Sequence, residues 1–293
     1  MSAGSNGAGR RVADGDGGPH GPALAECAAR RFGRLAGRHA LSVSLADGSW
    51  LARAADTPFV AASVIKVPLL VLALAAAERG EFDPGERVQV ERNDLATGSG
   101  LLRDLDDGLT LTWRDLLTLM MVISDNTATN LVLARLGVEA VNAALPGLGM
   151  PSTSVAGPLQ VDATRQTPAQ RAGRSATTTA ADLHDVLRRL DDGLLLGPEA
   201  TAWARDRLVG QRYREGIARL LDGPPGTHVV GSKGGWLARA RHDAGIVWSA
   251  DGVRLATVVV LSADHPTERF GPDHPAVLAI ARFARDALAL ARP

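Results

Sequence analysis

Strand-like and helix-like periodicities are segregated along this chain, and that segregation limits its possible folds more than any other feature of the sequence. Near one end, Ala40 to Leu45 and Trp50 to Ala54 flank Asp47-Gly48, a hairpin turn signal. Strand patterns return only at His228 to Ser232, Ala244 to Ala250 and Val253 to Ser262, the last two joined by Asp251-Gly252. Between them, Ser63 to Gly80, Thr112 to Ile123, Thr127 to Leu136, Glu139 to Leu148, Thr179 to Asp191 and Pro198 to Tyr213 read as helices, several introduced by Ser, Thr or Pro and ended by Gly. Helical spacing also marks Pro22 to Gly37 and Pro275 to Ala291. The order predicts an α+β, multi-domain fold: a five-stranded antiparallel sheet built from both chain ends, covered by the terminal helices, with an all-helical subdomain inserted between its second and third strands. In residue numbers, 22–57 and 214–293 form the α/β part and 58–213 the helical part, with a cleft between them. Residues 1–21, rich in Gly, Ala and Asp and without apolar periodicity, are expected to be a disordered leader. Segment 150–176 is a long non-periodic connection, and loops of that length in compact domains are usually functional or mobile.

Composition narrows the function. The 293 residues carry 32 basic and 32 acidic side chains, so no net field draws in nucleic acid or anionic lipid. The longest apolar run, Val67 to Ala77, is too short to span a bilayer. Arg10-Arg11 precedes no apolar stretch, so the chain reads as cytoplasmic. The single cysteine, Cys27, cannot form an internal disulfide and is expected as buried packing. The seven histidines show no ligand spacing, so a metal site is not expected; no other cofactor is called for, and a monomer with a small-molecule substrate as its partner is expected.

Of the basic residues only Lys66 and Lys233 are lysines. A guanidinium cannot act as a base near neutrality whereas a lysine amine can be tuned to, so the placement of these two matters. Ser63-Val64-Ile65-Lys66 opens a predicted helix, which puts the serine and the lysine on one face with the hydroxyl near the positive end of the helix dipole. A buried amine there can take the serine proton. Alone, the pattern is equally a helix cap followed by a surface lysine. It is joined by Ser124-Asp125-Asn126, which otherwise reads as a helix-helix turn, and by Ser232-Lys233-Gly234-Gly235-Trp236, which otherwise reads as a strand end. A second serine can relay a proton to a leaving nitrogen, an asparagine can hold a substrate amide, and a lysine beside a bare glycine edge can attract an anionic group. Together, with both lysines used, the three motifs point to an acyl-serine enzyme. His242-Asp243 reads as strand-end packing near the third motif rather than as a pH-sensitive pair, and the arginine-rich helix from Arg205 to Arg219 as a solvated face.

With these motifs the sequence resembles the serine penicillin-recognising family, and most closely the class A β-lactamases. The resemblance runs from Ala40 to the C-terminal end and extends to Arg92-Asn93-Asp94-Leu95, Leu111 to Leu131, Thr177-Thr178-Thr179 and Gly245-Ile246-Val247. It implies Ser63 as nucleophile, Lys66 as its base, Ser124 as proton shuttle, Asn126 as substrate ligand and Lys233 as partner of a substrate carboxylate and of Ser124. Gly234, Gly235 and Trp236 complete the implied substrate-binding strand, and the backbone N–H groups of Ser63 and Trp236 the oxyanion hole.

The chain departs from the family in four places. Between Pro151 and Ala176 it has no glutamate where class A enzymes carry Glu-x-x-Asn; Gln160, Asp162, Gln166 and Gln170 are the polar substitutes, with Asp162 either a base or a solvated loop carboxylate. Gly234 stands where a hydroxyl is usual. Ala96 to Gly100 replaces an aromatic wall. The strand arginine expected near Ala244 is absent, leaving Arg239 and Arg241 in the preceding turn. The resulting expectation is a β-lactamase-like serine hydrolase acting through an acyl-enzyme on an amide, β-lactam or ester carbonyl. Its alternatives are an acyltransferase or amide hydrolase of small-molecule biosynthesis and, from another class, a penicillin-binding sensor or pseudoenzyme.

Overall fold

The computed structural model describes residues 14–81, 83–106, 108–221 and 228–291. The first part of the chain gives β1 (Gly15–Gly17), α1 (Gly21–Phe32), β2 (Arg38–Leu45) and β3 (Trp50–Arg53). The middle gives β4 (Phe59–Val60), α2 (Lys66–Glu78), β5 (Arg87–Gln89), β6 (Thr110–Thr112), α3 (Trp113–Val122), α4 (Asn126–Leu136), α5 (Val138–Ala144), α6 (Pro168–Arg171), β7 (Thr177–Thr178), α7 (Ala180–Asp191) and α8 (Pro198–Val209). The last part returns to the sheet with β8 (His228–Leu237), β9 (Ala240–Ser249) and β10 (Arg254–Ala263), and closes with α9 (Pro275–Leu290).

The main sheet is antiparallel with the order β1-β3-β2-β10-β9-β8, so the two chain ends meet where β2 pairs with β10. Alternate residues of β10 serve two cores: Val259 and Leu261 face the helical layer, Val258 and Val260 the layer of α1 and α9. Burial on both faces explains why this strand reads as a continuous apolar run, each such side chain contributing about 1.5–3 kcal/mol. On the second face Phe32 meets Phe283 edge-on at 5.7 Å, and Arg31 pairs with Asp286 at 2.6 Å. Cys27 is buried in that layer, as expected. On the first face α2 is apolar nearly all round and forms the middle of the helical layer. Among the described residues no single helix is long and apolar enough to cross a membrane.

Three expectations need correction. The main sheet has six strands among the described residues, not five, because Gly15–Gly17 pairs with β3 from within the supposed leader. Two glycines in three residues leave no side-chain pattern to read, yet Gly17 lies so close over the Trp50 indole that a Cβ would come within 2.6 Å of Nε1. Asp14 secures the same edge by accepting the N–H groups of Ala54 and Ala55 at 2.7 and 3.1 Å. Residues 1–13 of the expected leader lie outside the described residues. The helix expected from Ser63 is instead a 3-10 turn, Ala62–Ile65, followed by α2 from Lys66. Finally, the third motif is not a strand end: β8 continues through it to Leu237, the two glycines having masked the pattern.

Candidate active site

An open cavity of about 880 Å³ lies between the helical layer and β8, the edge strand of the sheet. Ser63 lines it from the 3-10 turn. That turn is held in place by the β4–β7 pairing of Phe59 with Thr178 and by the Ala61 N–H, which donates to Ala176 O at 2.8 Å. Ala62 takes a left-handed backbone, φ 48°, to swing the chain from β4 into the turn. At the start of such a turn the N–H of Ser63 has no partner within the helix. Gly235 of β8 packs directly on it: a Cβ there would come within 3.0 Å of both Ser63 N and Val64 N. The edge strand therefore reaches the nucleophile candidate only because residue 235 has no side chain.

Lys66 is fully buried, and its Nζ donates to Ser124 O at 2.6 Å, Ser124 Oγ at 3.0 Å and Asn126 Oδ1 at 2.9 Å. Burial, assisted by the nearby Lys233 charge and resisted by Asp125, drives its pKa well below the usual lysine range. From the other side Lys233, also fully buried, donates to Ser124 Oγ at 3.1 Å and to Gly234 O at 2.8 Å. Its pKa falls to about 7, through burial partly offset by Asp243. The Ser124 hydroxyl thus sits between two amines that cannot both be comfortably charged.

Ser124 holds this position with φ 59°, an uncommon conformation for a side-chain-bearing residue. Its carbonyl is gripped by Lys66 and by Ser99 Oγ at 2.7 Å. The next residue, Asp125, caps α4 through Ala128 N–H and accepts the N–H groups of Leu101 and Leu102 at 2.7 and 2.9 Å. Asn126 donates from Nδ2 to Thr97 O at 2.8 Å, so both of its side-chain ends are engaged. Residue 98 is held to glycine twice over, by its φ of 87° and because a Cβ there would meet Asn126 Nδ2 at 2.7 Å. The Ala96–Gly100 segment, which stands where the family has an aromatic wall, is tied to Thr127, Ser124 and Asn126 by hydrogen bonds.

The loop over the cavity is tied as well. Asn130 pairs with the backbone of Leu159, donating at 2.9 Å and accepting at 2.7 Å, and Thr97 donates to Gln160 O. The cavity face of this loop carries Pro158, Leu159, Gln160 and Gln170. Gln170 is committed to Pro158 O and to the Thr167 N–H. Asp162 is exposed and turned to its own loop, accepting from the backbone and hydroxyl of Thr164, and neither it nor Gln166 lines the cavity.

The substitutes for the missing strand arginine are spent elsewhere. Arg239 donates to His265 O, and Arg241 to Leu237, Ala240 and Arg269 carbonyls while stacking on Trp236 and Phe270. Sequence reasoning passed over Phe270, took Asp243 for strand-end packing and placed Tyr213 and Glu215 on a solvated helix; all four line the cavity, because α8 ends at Val209 and the chain then turns towards β8. The signal for Asp243 was available in principle, because in the β8–β9 register it lies opposite Gly234. Its neighbour His242 is packing, bonded to Val60 O and to the Ser262 N–H.

The fold and sequence have close parallels. A model of the Beta-lactamase enzyme family matches residues 30–291. A β-lactamase of Amycolatopsis lactamdurans is 28% identical over 228 residues, 77% of this chain and 72% of the relative. The crystal structure of a β-lactamase from Sphaerobacter thermophilus superposes with a TM-score of 0.81 at 28% identity, covering 92% of this chain and 96% of the other. The fold is also that of PBP-A, with a TM-score of 0.78 at 23% identity, covering 91% and 94%. A family match across nearly the whole described chain, on the expected fold and around the three motifs, places this protein in the β-lactamase enzyme family.

Proposed function

We propose that the chain is an acyl-serine hydrolase in which Ser63 attacks an amide, β-lactam or ester carbonyl. The observation that carries this reading is the buried, pKa-lowered Lys66 three residues from Ser63, bonded to a serine hydroxyl that a second buried lysine shares. Neutral Lys66 takes the Ser63 proton as Oγ bonds to the carbonyl carbon, and the N–H groups of Ser63 and Trp236 receive the oxyanion, each donor worth about 3 kcal/mol. Ser124 passes a proton from the lysine pair to the leaving nitrogen or oxygen, whose bond to carbon breaks to leave the ester on Ser63. Asn126 and the strand Lys233-Gly234-Gly235-Trp236 hold the substrate on either side.

Resolution of the ester is the weak step. The loop offers Leu159, Gln160 and Gln170 to the cavity and no carboxylate, so water attacks without a base from that side. This favours as a second reading an acyltransferase, in which an amine or alcohol takes the acyl group. Intact-protein mass after mixing with p-nitrophenyl acetate and, separately, penicillin G tests the proposal. An acyl adduct with either reagent, absent in Ser63→Ala, is expected; adduct formation unaffected by Ser63→Ala overturns the mechanism.

A further inference from the structure

The end of the cavity beyond Lys233 has a chemistry that the motifs do not announce. Its lining includes Trp236 and Phe270, which share Arg241 behind them, Tyr213, and two carboxylates, Glu215 and Asp243, the latter against Gly216 and opposite Gly234 in the β8–β9 register. Among the described residues lining the cavity, these two carboxylates are the charged side chains; no arginine or lysine side chain lines it. Asp243 is 3% exposed; its Oδ2 accepts the Ile217 N–H at 2.7 Å, and the Ser232 side chain and the Ala244 N–H approach the same carboxylate. Gly216 leaves it room, since a Cβ there would fall 2.1 Å from Oδ2. Oδ1 of Asp243 and Oε2 of Glu215 are buried with no hydrogen-bond partner. Two such oxygens at one end of an open cavity are costly unless a donor arrives to meet them.

Three basic groups nearby are committed, Arg214 among them, which donates to Val209 O and Val230 O. Lys233 donates to Ser124 and Gly234, and Asp243 reaches it as a neighbouring charge. Arg241 lies behind the Trp236 and Phe270 rings with its guanidinium on three backbone carbonyls. An anionic group entering this end meets two carboxylates and, among the described residues lining the cavity, no cation. A cation meets unpaired carboxylate oxygens and the faces of exposed aromatic rings, Tyr213 at 45% and Phe270 at 60% exposure.

Building on the acyl-serine reading of the same cavity, we propose that this end is a subsite for a cationic nitrogen, an ammonium or guanidinium, of the substrate, held by Asp243 and Glu215 beside the aromatic rings. The preference expected from the family resemblance, Lys233 gripping a substrate carboxylate, is thereby reversed.

The test uses non-covalent guests, so that it does not depend on Ser63. Benzylammonium, benzyl alcohol and phenylacetate are titrated against the full chain, with the Trp236 indole N–H resonance, assigned through Trp236→Phe, as readout. The cation is expected to bind about tenfold or more tighter than the anion, and Glu215→Gln and Asp243→Asn each to cut that preference severalfold. Should Asp243→Asn fail to fold, Glu215→Gln, at a half-buried position, carries the test. Equal or tighter binding of phenylacetate, a preference untouched by both variants, or no binding of any guest overturns the proposal. Acylation of Ser63 is scored separately with p-nitrophenyl acetate. A cation preference without Ser63 labelling rejects the acyl-serine reading and keeps the subsite; labelling without a cation preference does the reverse.

Discussion

Lys66 holds Ser124 twice, through the carbonyl oxygen at 2.6 Å and the hydroxyl at 3.0 Å. One amine therefore both fixes the strained backbone of the second motif and orients its side chain, which ties the proton route to the local fold.

That double grip predicts the outcome of Lys66→Arg. A guanidinium keeps the charge but neither fits three converging acceptors nor loses its proton near neutrality. The acylation rate of Ser63 is expected to fall about 10³-fold from lost general-base catalysis and misplacement together, measured as the p-nitrophenolate burst. Lys233→Ala, which removes a single hydrogen bond to Ser124 Oγ, is expected to cost less. A normal burst in Lys66→Arg would require another base.

Ser124→Gly separates the two duties of that residue. Glycine accepts the φ of 59° without strain, and the backbone carbonyl still receives Lys66 and Ser99. Thermal stability is expected to hold or rise, while acylation falls by about 10²–10⁴-fold through loss of the relay. A fall in stability matched by unchanged acylation would mean that Ser124 is structural only.

The three motifs were legible because short-range spacing survives folding: Ser63 and Lys66 share a face whether the turn is α or 3-10. The alternation of β10 between two cores likewise follows from its length and β-branched composition. What was not legible depends on pairs remote in sequence or on residues without side chains. Gly15–Gly17 becomes a strand through Trp50 and Asp14. Gly234 and Gly235 hid the continuation of β8, which in turn hid Asp243 as a cavity residue. Asp162 and Gln160 are two positions apart on a non-periodic loop, and no pattern says which faces inward.

Acid stability follows from buried groups of opposite sign. Burial lowers His242 to about 4 from the usual 6.5, so it stays neutral in the fold; its contribution is complete above 6.5 and is lost as pH falls towards 4. His39, His265 and His274 are shifted in the same direction by burial. Asp243 opposes them: raised by burial to about 6 from 3.8, it favours the fold most below 3.8 and loses that contribution as pH rises through 6. Asp243→Asn is therefore expected to gain stability relative to the native chain at pH 7.5, on the order of 3 kcal/mol, and to lose that advantage by pH 4. Urea midpoints across this range measure it, and a pH-independent difference would show that Asp243 does not titrate as a buried carboxylate.

Gln160 offers the sharpest test of the slow ester breakdown. Its side chain lies beside Asn126, both approaching the place where a Cβ on Gly98 would be, at 3.4 and 2.7 Å. Asn126 in turn contacts Lys66, so a carboxylate introduced at residue 160 stands at the edge of the proton network. Gln170 cannot serve equally, because Gln170→Glu would remove the donor to Pro158 O that shapes the loop. Gln160→Glu keeps size and backbone while adding a base, and general-base assistance is typically worth 10²–10⁴-fold. The lifetime of the Ser63 acyl adduct, followed by intact mass, is expected to shorten at least tenfold in Gln160→Glu and to remain unchanged in Asp162→Asn, whose carboxylate serves Thr164 outside the cavity. If breakdown in the native chain were already fast and Asp162→Asn abolished it, the loop would have to move so that Asp162 enters the cavity, and the assignment of its inner face would fall.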